Sequence, residues 1–344
     1  MTNLRKPKFL LLLGIIGIVF VSIALAGIWQ YLDSRAISVN KTPKTVDISR
    51  GMGSKQIAQL LAKQGIIEMP QYFSVQARFN DYSQRLQAGE YQIFPNTGYK
   101  DILEQIAQGE VIEYRFRIPE GSTVMQVLAL LSQRDEIKQT LTSKTPQDVL
   151  RELGLQLPFL EGFLFPDTYV FTRNTTDREI LIRAVKAMQN LLQDMWEDRI
   201  VPTKPDIFRF ADPYQVLILA SIIEKESGLD EDRVVISQVF HNRLSQGMRL
   251  QTDPTIIYGL GESFDGNLTR RHLRMDTAYN TYTRHGLPPT PIAQPSRRSL
   301  YAAFHPSNGP YLYFVARGDG SSEFSTTLAQ HNAAVRKYQL GIHE

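Results

Sequence analysis

An uncharged, mostly apolar run from Phe9 to Trp29 leaves the start of this chain few options. Inside a bilayer every backbone N–H and C=O must find a partner within the segment, so a lone run of this kind must be a helix. At ~1.5 Å per residue it reaches ~30 Å, the thickness of a hydrocarbon core. Arg5, Lys6 and Lys8 precede it and assign the N-terminus to the cytoplasm, while Trp29 and Tyr31 stand where interfacial aromatics belong. A cleaved signal peptide is the competing reading, because Ala24-Leu25-Ala26 is a small-x-small site. The apolar run continues past that site through Ile28 and Trp29, which favours an uncleaved anchor. Residues 1–8 are then cytoplasmic, 9–31 span the membrane, and 32–43 form a polar tether without periodicity. Everything beyond lies outside the cytoplasmic membrane.

The 344 residues suffice for two or three further domains, each with its own core. With 42% hydrophobic and 21% charged residues the chain reads as folded and not disordered. A net charge of +3, with no basic stripe, gives no case for nucleic acid. The absence of cysteine removes disulfides and thiolate chemistry, and the six histidines show no metal-ligand spacing. Neither a metal nor a cofactor is expected.

Two stretches repeat one pattern of strand, glycine turn and amphipathic helix. Val46 to Gly51 leads into Ile57, Leu60 and Leu61; Phe116 to Gly121 leads into Val124, Val127, Leu128 and Leu131. Between them Ala88 to Phe94 alternates as a strand, and Tyr99 to Gly109 reads as a helix closed by glycine. The expected units are residues 44–110, a second strand–helix unit at 111–156, and a larger α+β domain at 157–344. Within the last, Phe163, Phe165 and Tyr169 alternate as in a strand, and Arg178 to Asp198 is an amphipathic helix. Tyr311 to Val315 is a core strand, Gly318-Asp319-Gly320 a turn, and Thr327 caps a final helix.

The larger domain is organised by Asp212-Pro213 and the apolar run Val216 to Ile223, a capped helix buried on most sides. Gly228 is the expected left-handed stop. One turn before it stands Glu224, on a face with Leu217, Ala220 and Ser221, while Lys225 and Glu226 point elsewhere. Burial and the negative end of the helix dipole would favour a protonated Glu224, as a general acid requires. From the helix alone, a solvated last-turn residue or half of an ion pair is the more usual reading. A second helix from Glu231 to Gln246, capped by Asp230, should pack antiparallel to the first. Asp253 begins another helix and serves as an N-cap or as a substrate ligand. Gln251 offers a donor and an acceptor, and Tyr258, Tyr279 and Tyr282 are rings suited to stacking on sugars. Asn280, set between tyrosines, is a further candidate for binding a polar group of the substrate. Glu161 is kept as a supporting acid, whereas Asp167 sits at a turn position.

The series Glu224-Lys225-Glu226, His241-Asn242-Arg243-Leu244, Gly247 to Gly259, Ala278 to Thr283, Gly286-Leu287-Pro288-Pro289, His305-Pro306 and Tyr311 to Val315 is long and ordered. It closely resembles the endolytic murein transglycosylases of the MltG (YceG-like) family, from about Val46 to Tyr338. The resemblance implies an α+β catalytic domain behind a LysM-like unit, the latter either holding N-acetylated glycan or merely spacing the active site from the membrane. It assigns the catalytic glutamate to Glu224 and implies that peptidoglycan is cut with formation of a 1,6-anhydromuramoyl end. It also implies work beside glycan polymerases and transpeptidases, the penicillin-binding proteins. A muramidase-type hydrolase would use the same acid with water. A non-catalytic glycan-binding or divisome scaffold would tolerate loss of Glu224. An acyl enzyme is suggested only by Ser38-Val39-Asn40-Lys41 and lacks its partner motifs downstream.

Overall fold

The computed structural model describes residues 6–35, 37–142, 145–199 and 210–340, in two compact units divided between Tyr114 and Arg115. Unit 1 opens with α1 (Lys6–Arg35), among the described residues the one helix long and apolar enough to cross a membrane. It is followed by β1 (Lys44–Ile48), α2 (Ser54–Lys63), α3 (Pro70–Phe79), β2 (Gly89–Ile93) and α4 (Tyr99–Gln108). β1 and β2 pair antiparallel with Val46 opposite Tyr91. Strand alternation puts Val46, Ile48, Tyr91 and Ile93 into a core shared with Ile57, Leu61, Phe73, Ile102 and Ile106. Each such side chain contributes roughly 1.5–3 kcal/mol on burial. The Tyr99 hydroxyl accepts from the N–H groups of Glu68 (2.7 Å) and Met69 (3.0 Å), satisfying donors at the start of α3.

The stretch read as a tether is folded onto unit 1. Ser38 and Asn40 are buried. Ser38 N–H donates to the Thr97 carbonyl (2.7 Å), Val39 N–H to Ile66 (3.0 Å), and Asn40 Nδ2 to Ile93 (3.0 Å) and Thr42 (2.9 Å). Polar composition cannot reveal this, because the bonds are made to backbone groups distant in sequence. α1 also runs past Tyr31: the Trp29 ring meets Tyr72 and Phe79, and Asp33 accepts from Tyr72 (3.1 Å) and Gln76 (2.7 Å).

Unit 2 takes in β3 (Glu113–Arg117), whose strand begins before the division, then α5 (Val124–Ser132), α6 (Pro146–Leu153) and β4 (Thr168–Thr172), the partner of β3. The strand–helix stretch expected as a separate module is thus largely part of the larger fold. There follow α7 (Asp177–Glu197), α8 (Pro213–Glu226), α9 (Asp230–Ser245), α10 (Asp253–Leu260), α11 (Arg270–Arg274), α12 (Arg297–Phe304), the antiparallel hairpin β5 (Tyr313–Ala316) and β6 (Ser322–Ser325), and α13 (Leu328–Tyr338).

α8 is the centre of this unit: Val216 through Ile223 are all buried, against α7, α9, α10 and α12. Asp212 caps it by accepting from Gln215 N–H at 2.9 Å. Gly228 is not left-handed; the helix ends where Ser227 turns extended (φ −89°, ψ 122°). Leu229, not Asp230, is the N-cap of α9, and Asp230, Glu231 and Asp232 instead fill its first turn, where negative charge suits the dipole. Before β4 the chain from Leu157 is irregular and not a strand. There Gly162 (φ +85°) lets Pro291 approach so closely that a Cβ would lie 2.5 Å from the proline ring.

Soluble chains beginning at Ile37 and at Lys44 should both fold, but the second lacks the Asn40 bonds and leaves the Ile93 carbonyl unpaired. It should be less stable by ~1–3 kcal/mol in urea unfolding.

Candidate active site

Glu224 leaves the last turn of α8 with its side chain buried. Its Oε2 accepts four hydrogen bonds: from Ser296 N–H (2.9 Å), Ser296 Oγ (2.6 Å), Ser299 Oγ (2.7 Å) and Arg233 Nη1 (3.2 Å). Ser296 is the N-cap of α12, so the carboxylate also lies at a helix N-terminus, where negative charge is favoured. Arg233 is itself buried, and its Nε donates to Asp230 at 3.0 Å. The ion-pair reading of Glu224 is therefore the geometry found. The group is fixed as an acceptor between α8, α9 and α12.

Two residues on, Glu226 ends α8 in a different setting. Burial pushes its carboxyl up to about 7; Asp253 adds to the rise, while the Thr252 hydroxyl bonded to it and the Arg243 guanidinium oppose it. A carboxyl poised there carries a proton at neutral pH and can give it up. Arg243 is buried on the far side and makes no carboxylate pair among the described residues. It donates instead to the carbonyls of Leu312 (2.6 Å), Leu250 (2.7 Å) and Arg249 (3.4 Å). Those bonds hold the segment that delivers Thr252 to Glu226.

The Gln251–Asp253 segment is pinned from its other side too. Gln251 N–H donates to Thr281 O (3.2 Å), Thr252 N–H to Thr281 Oγ1 (3.1 Å), and Thr255 and Thr281 share a buried hydroxyl contact of 2.9 Å. Gln251 takes a left-handed backbone (φ +51°), uncommon for this residue type, with its side chain exposed. Asp253 is exposed at the first position of α10 and makes no capping bond; it accepts from the Tyr282 hydroxyl at 2.6 Å. Glu226, Asp253 and Tyr282 thus stand together, with the backbone of Gln251 and Thr252 fixed beside them.

Tyr258 and Tyr279 form a neighbouring pair, ring against ring at 5.0 Å. Tyr258 donates to Glu161 (3.1 Å), and Tyr279 shares a 2.8 Å contact with Thr290. Glu161 is buried and also accepts from Gln294 Nε2 (2.7 Å) and from Val124 N–H (3.1 Å), at the start of α5. Burial outweighs these donors and pushes it up to about 7. Enclosed by its donors, Glu161 joins the start of α5 to α10. Asn280 departs from expectation. It is 1% exposed, its Nδ2 donates to His272, Leu273 and Met275 carbonyls, and its Oδ1 accepts from Tyr282 N–H. An amide so buried and so bonded to its own loop shapes the tyrosine segment and is not presented to a substrate.

Glu226, Thr252, Arg243 and Gln294 were missed by sequence reasoning. A signal for Glu226 existed: at helical spacing it follows Leu219, Ile222 and Ile223, as apolar a face as that of Glu224.

The sequence profile of the YceG-like family matches residues 46–337. The chain is 30% identical over 316 residues to the endolytic murein transglycosylase of Bacillus subtilis, covering 87% of this chain and 86% of that relative. It is 27% identical to the endolytic murein transglycosylase of Streptococcus pneumoniae D39, over 93% of this chain and 64% of the longer relative. A crystal structure of a YceG-like protein from Listeria monocytogenes is similar at 30% identity, with a TM-score of 0.49, over 86% of this chain and 99% of that one.

The two glutamates should respond oppositely to removal. Glu224→Ala leaves the buried Arg233 with Asp230 as its one carboxylate partner among the described residues and should cost ~1–3 kcal/mol in denaturant unfolding. Glu226, with its folded pKa above the ordinary 4.5, favours folding least where it must ionise: its contribution is intact below 4.5 and lost as pH rises through about 7. Glu226→Gln should therefore match the parent in acid and become the more stable of the two above pH 7. Unfolding curves across that range check both signs; Glu161 leaves a residual slope in each protein.

Proposed function

Because this chain belongs to the YceG-like family, we propose that it is a membrane-anchored endolytic murein transglycosylase, a carbon–oxygen lyase that cuts peptidoglycan strands internally. The observation that carries the mechanism is Glu226, a carboxyl raised to about 7 by burial, beside Gln251, Asp253 and Tyr282. The apolar helix face and the family resemblance both pointed to Glu224. Its four donors and its ion pair suit a positioning role, and proton transfer passes to the group two residues on.

In this mechanism, protonated Glu226 donates to the oxygen linking N-acetylmuramic acid to N-acetylglucosamine as the C1–O bond breaks. The muramoyl acetamido oxygen steadies the cationic C1. The carboxylate left behind then accepts the proton of the muramoyl 6-hydroxyl as that oxygen attacks C1, closing the 1,6-anhydro ring. One group serves both halves and no water is consumed. Arg243 supplies positive potential behind the carboxylate during the interval in which it is charged. Gln251 and Tyr282 bind the sugar, and Tyr258 and Tyr279 extend the surface on which it lies.

The strand–helix–helix–strand arrangement of unit 1 supports a LysM-like role in holding glycan. The polarity of the N-terminal charges supports a single-pass protein with both units outside the cytoplasmic membrane, near the synthases whose strands it shortens.

The test is mass spectrometry of products from uncrosslinked glycan. The parent should release anhydromuramoyl ends, and reducing ends would instead mark a muramidase-type hydrolase. Glu226→Gln should stay folded and lose ~10²–10⁴-fold in rate or more. Parent activity should fall as pH rises above about 7, where the acid form of Glu226 is depleted. Retention of activity by Glu226→Gln, alongside a folded but inert Glu224→Gln, would return the acid to Glu224.

A further inference from the structure

The last turns of α1 do not stand clear of unit 1. Trp29 closes the apolar run, and its ring meets Tyr72 at 5.3 Å and Phe79 at 5.5 Å, both on α3. One turn later Asp33 accepts from Tyr72 and Gln76 of the same helix. Beyond it the chain is bonded at once to Thr97, Ile66 and Ile93. α3 is thereby held at the level of Trp29, the depth at which a spanning helix keeps its interfacial aromatic.

On the side of α3 turned away from the core, next to the α1 contact, apolar groups face outward. Phe79 is 76% exposed and Val75 39%, and Arg78, also exposed, stands between them on the helix surface without a carboxylate partner among the described residues. A phenyl ring left so open in water is unfavourable, and the same ring beside Trp29 at the boundary of a bilayer is not. The stem of Arg78 can lie along apolar surface while its guanidinium reaches a lipid phosphate.

We propose that α3 is an interfacial element: its Val75–Phe79 edge lies in the headgroup region of the outer leaflet, with Arg78 against phospholipid phosphates. The occupant of this face is lipid, because the face is continuous with the spanning helix through the Trp29–Phe79 contact. The inference rests on the reading of α1 as an uncleaved membrane anchor. It adds that unit 1 sits in the membrane surface and does not hang below it.

The chain has no cysteine, so Phe79→Cys and Phe20→Cys each accept a single environment-sensitive fluorophore, and both positions are exposed. The full-length protein is placed in nanodiscs of phosphatidylethanolamine and phosphatidylglycerol, with nitroxide lipids labelled either near the headgroup or deep in the chain. The expected result is that the probe at 79 emits to the blue of its value in water and loses most of its emission to headgroup-level nitroxide, while iodide in the buffer quenches it little. The probe at 20 should respond to deep nitroxide. If 20 responds and 79 is quenched by iodide alone, the interfacial placement is overturned and the anchor stands. If 79 is shielded from both quenchers, protein covers the face and the proposal is equally overturned. If neither position responds to nitroxide lipid, the anchor reading fails and the proposal falls with it.

Discussion

One carboxylate oxygen, Oε2 of Glu224, is the point on which unit 2 is braced. Four donors from α9, from α12 and from the turn that starts α12 converge on it in a site from which water is largely excluded. Charge-assisted bonds are strong in such surroundings, and a buried ion pair of this kind is better at enforcing one arrangement than at adding net stability. Its effect reaches outward along the chain. Fixing Ser296 fixes Gln294, whose Oε1 accepts from Leu164 N–H (2.8 Å) and whose Nε2 holds Glu161. Fixing the last turn of α8 sets the direction in which Glu226 leaves it.

Two glutamates separated by a single lysine thus do unlike work. Positions i and i+2 on a helix face roughly opposite ways. Glu224 turns toward a helix N-terminus and a guanidinium; Glu226 turns toward a threonine hydroxyl and a second carboxylate, with its cation held behind backbone carbonyls. Chemically identical side chains acquire different proton affinities from what surrounds them, and burial without full compensation is what makes a carboxyl useful at neutral pH.

Much of this was legible beforehand. The helices α4, α7, α8 and α13 follow from periodicity, with Gly109 closing the first and Asp212 and Thr327 capping the last two. The strand–turn–helix repeat is present at both places, although only the first belongs to a separate unit. α3 and α12 went unread, since Tyr72 and Phe73 mix with polar neighbours and Arg297-Arg298 opens the second with charge. At the candidate site, sequence singled out the helix α8 and the Gln251–Asp253 and Tyr282 segments that the structure packs beside its end. It could not weigh Glu224 against Glu226, because the difference lies in Ser296, Ser299, Thr252 and Arg243, groups contributed from distant stretches. Asn280 was misjudged for a related reason: its partners are the backbone carbonyls of its own loop, and a side-chain inventory does not count those.

The contacts that tie the end of α1 and the residues after it to unit 1 have a mechanical meaning. A spanning helix adjusts to bilayer thickness by tilting, steeply where the hydrocarbon layer is thin and less where it is thick. With Trp29, Asp33, Ser38, Val39 and Asn40 all engaged by unit 1, that rotation has nowhere to dissipate. With α1 spanning the membrane as proposed, the bilayer would act on unit 1 as a lever, and a change in lipid composition would become a change in the angle of unit 1 at the membrane surface.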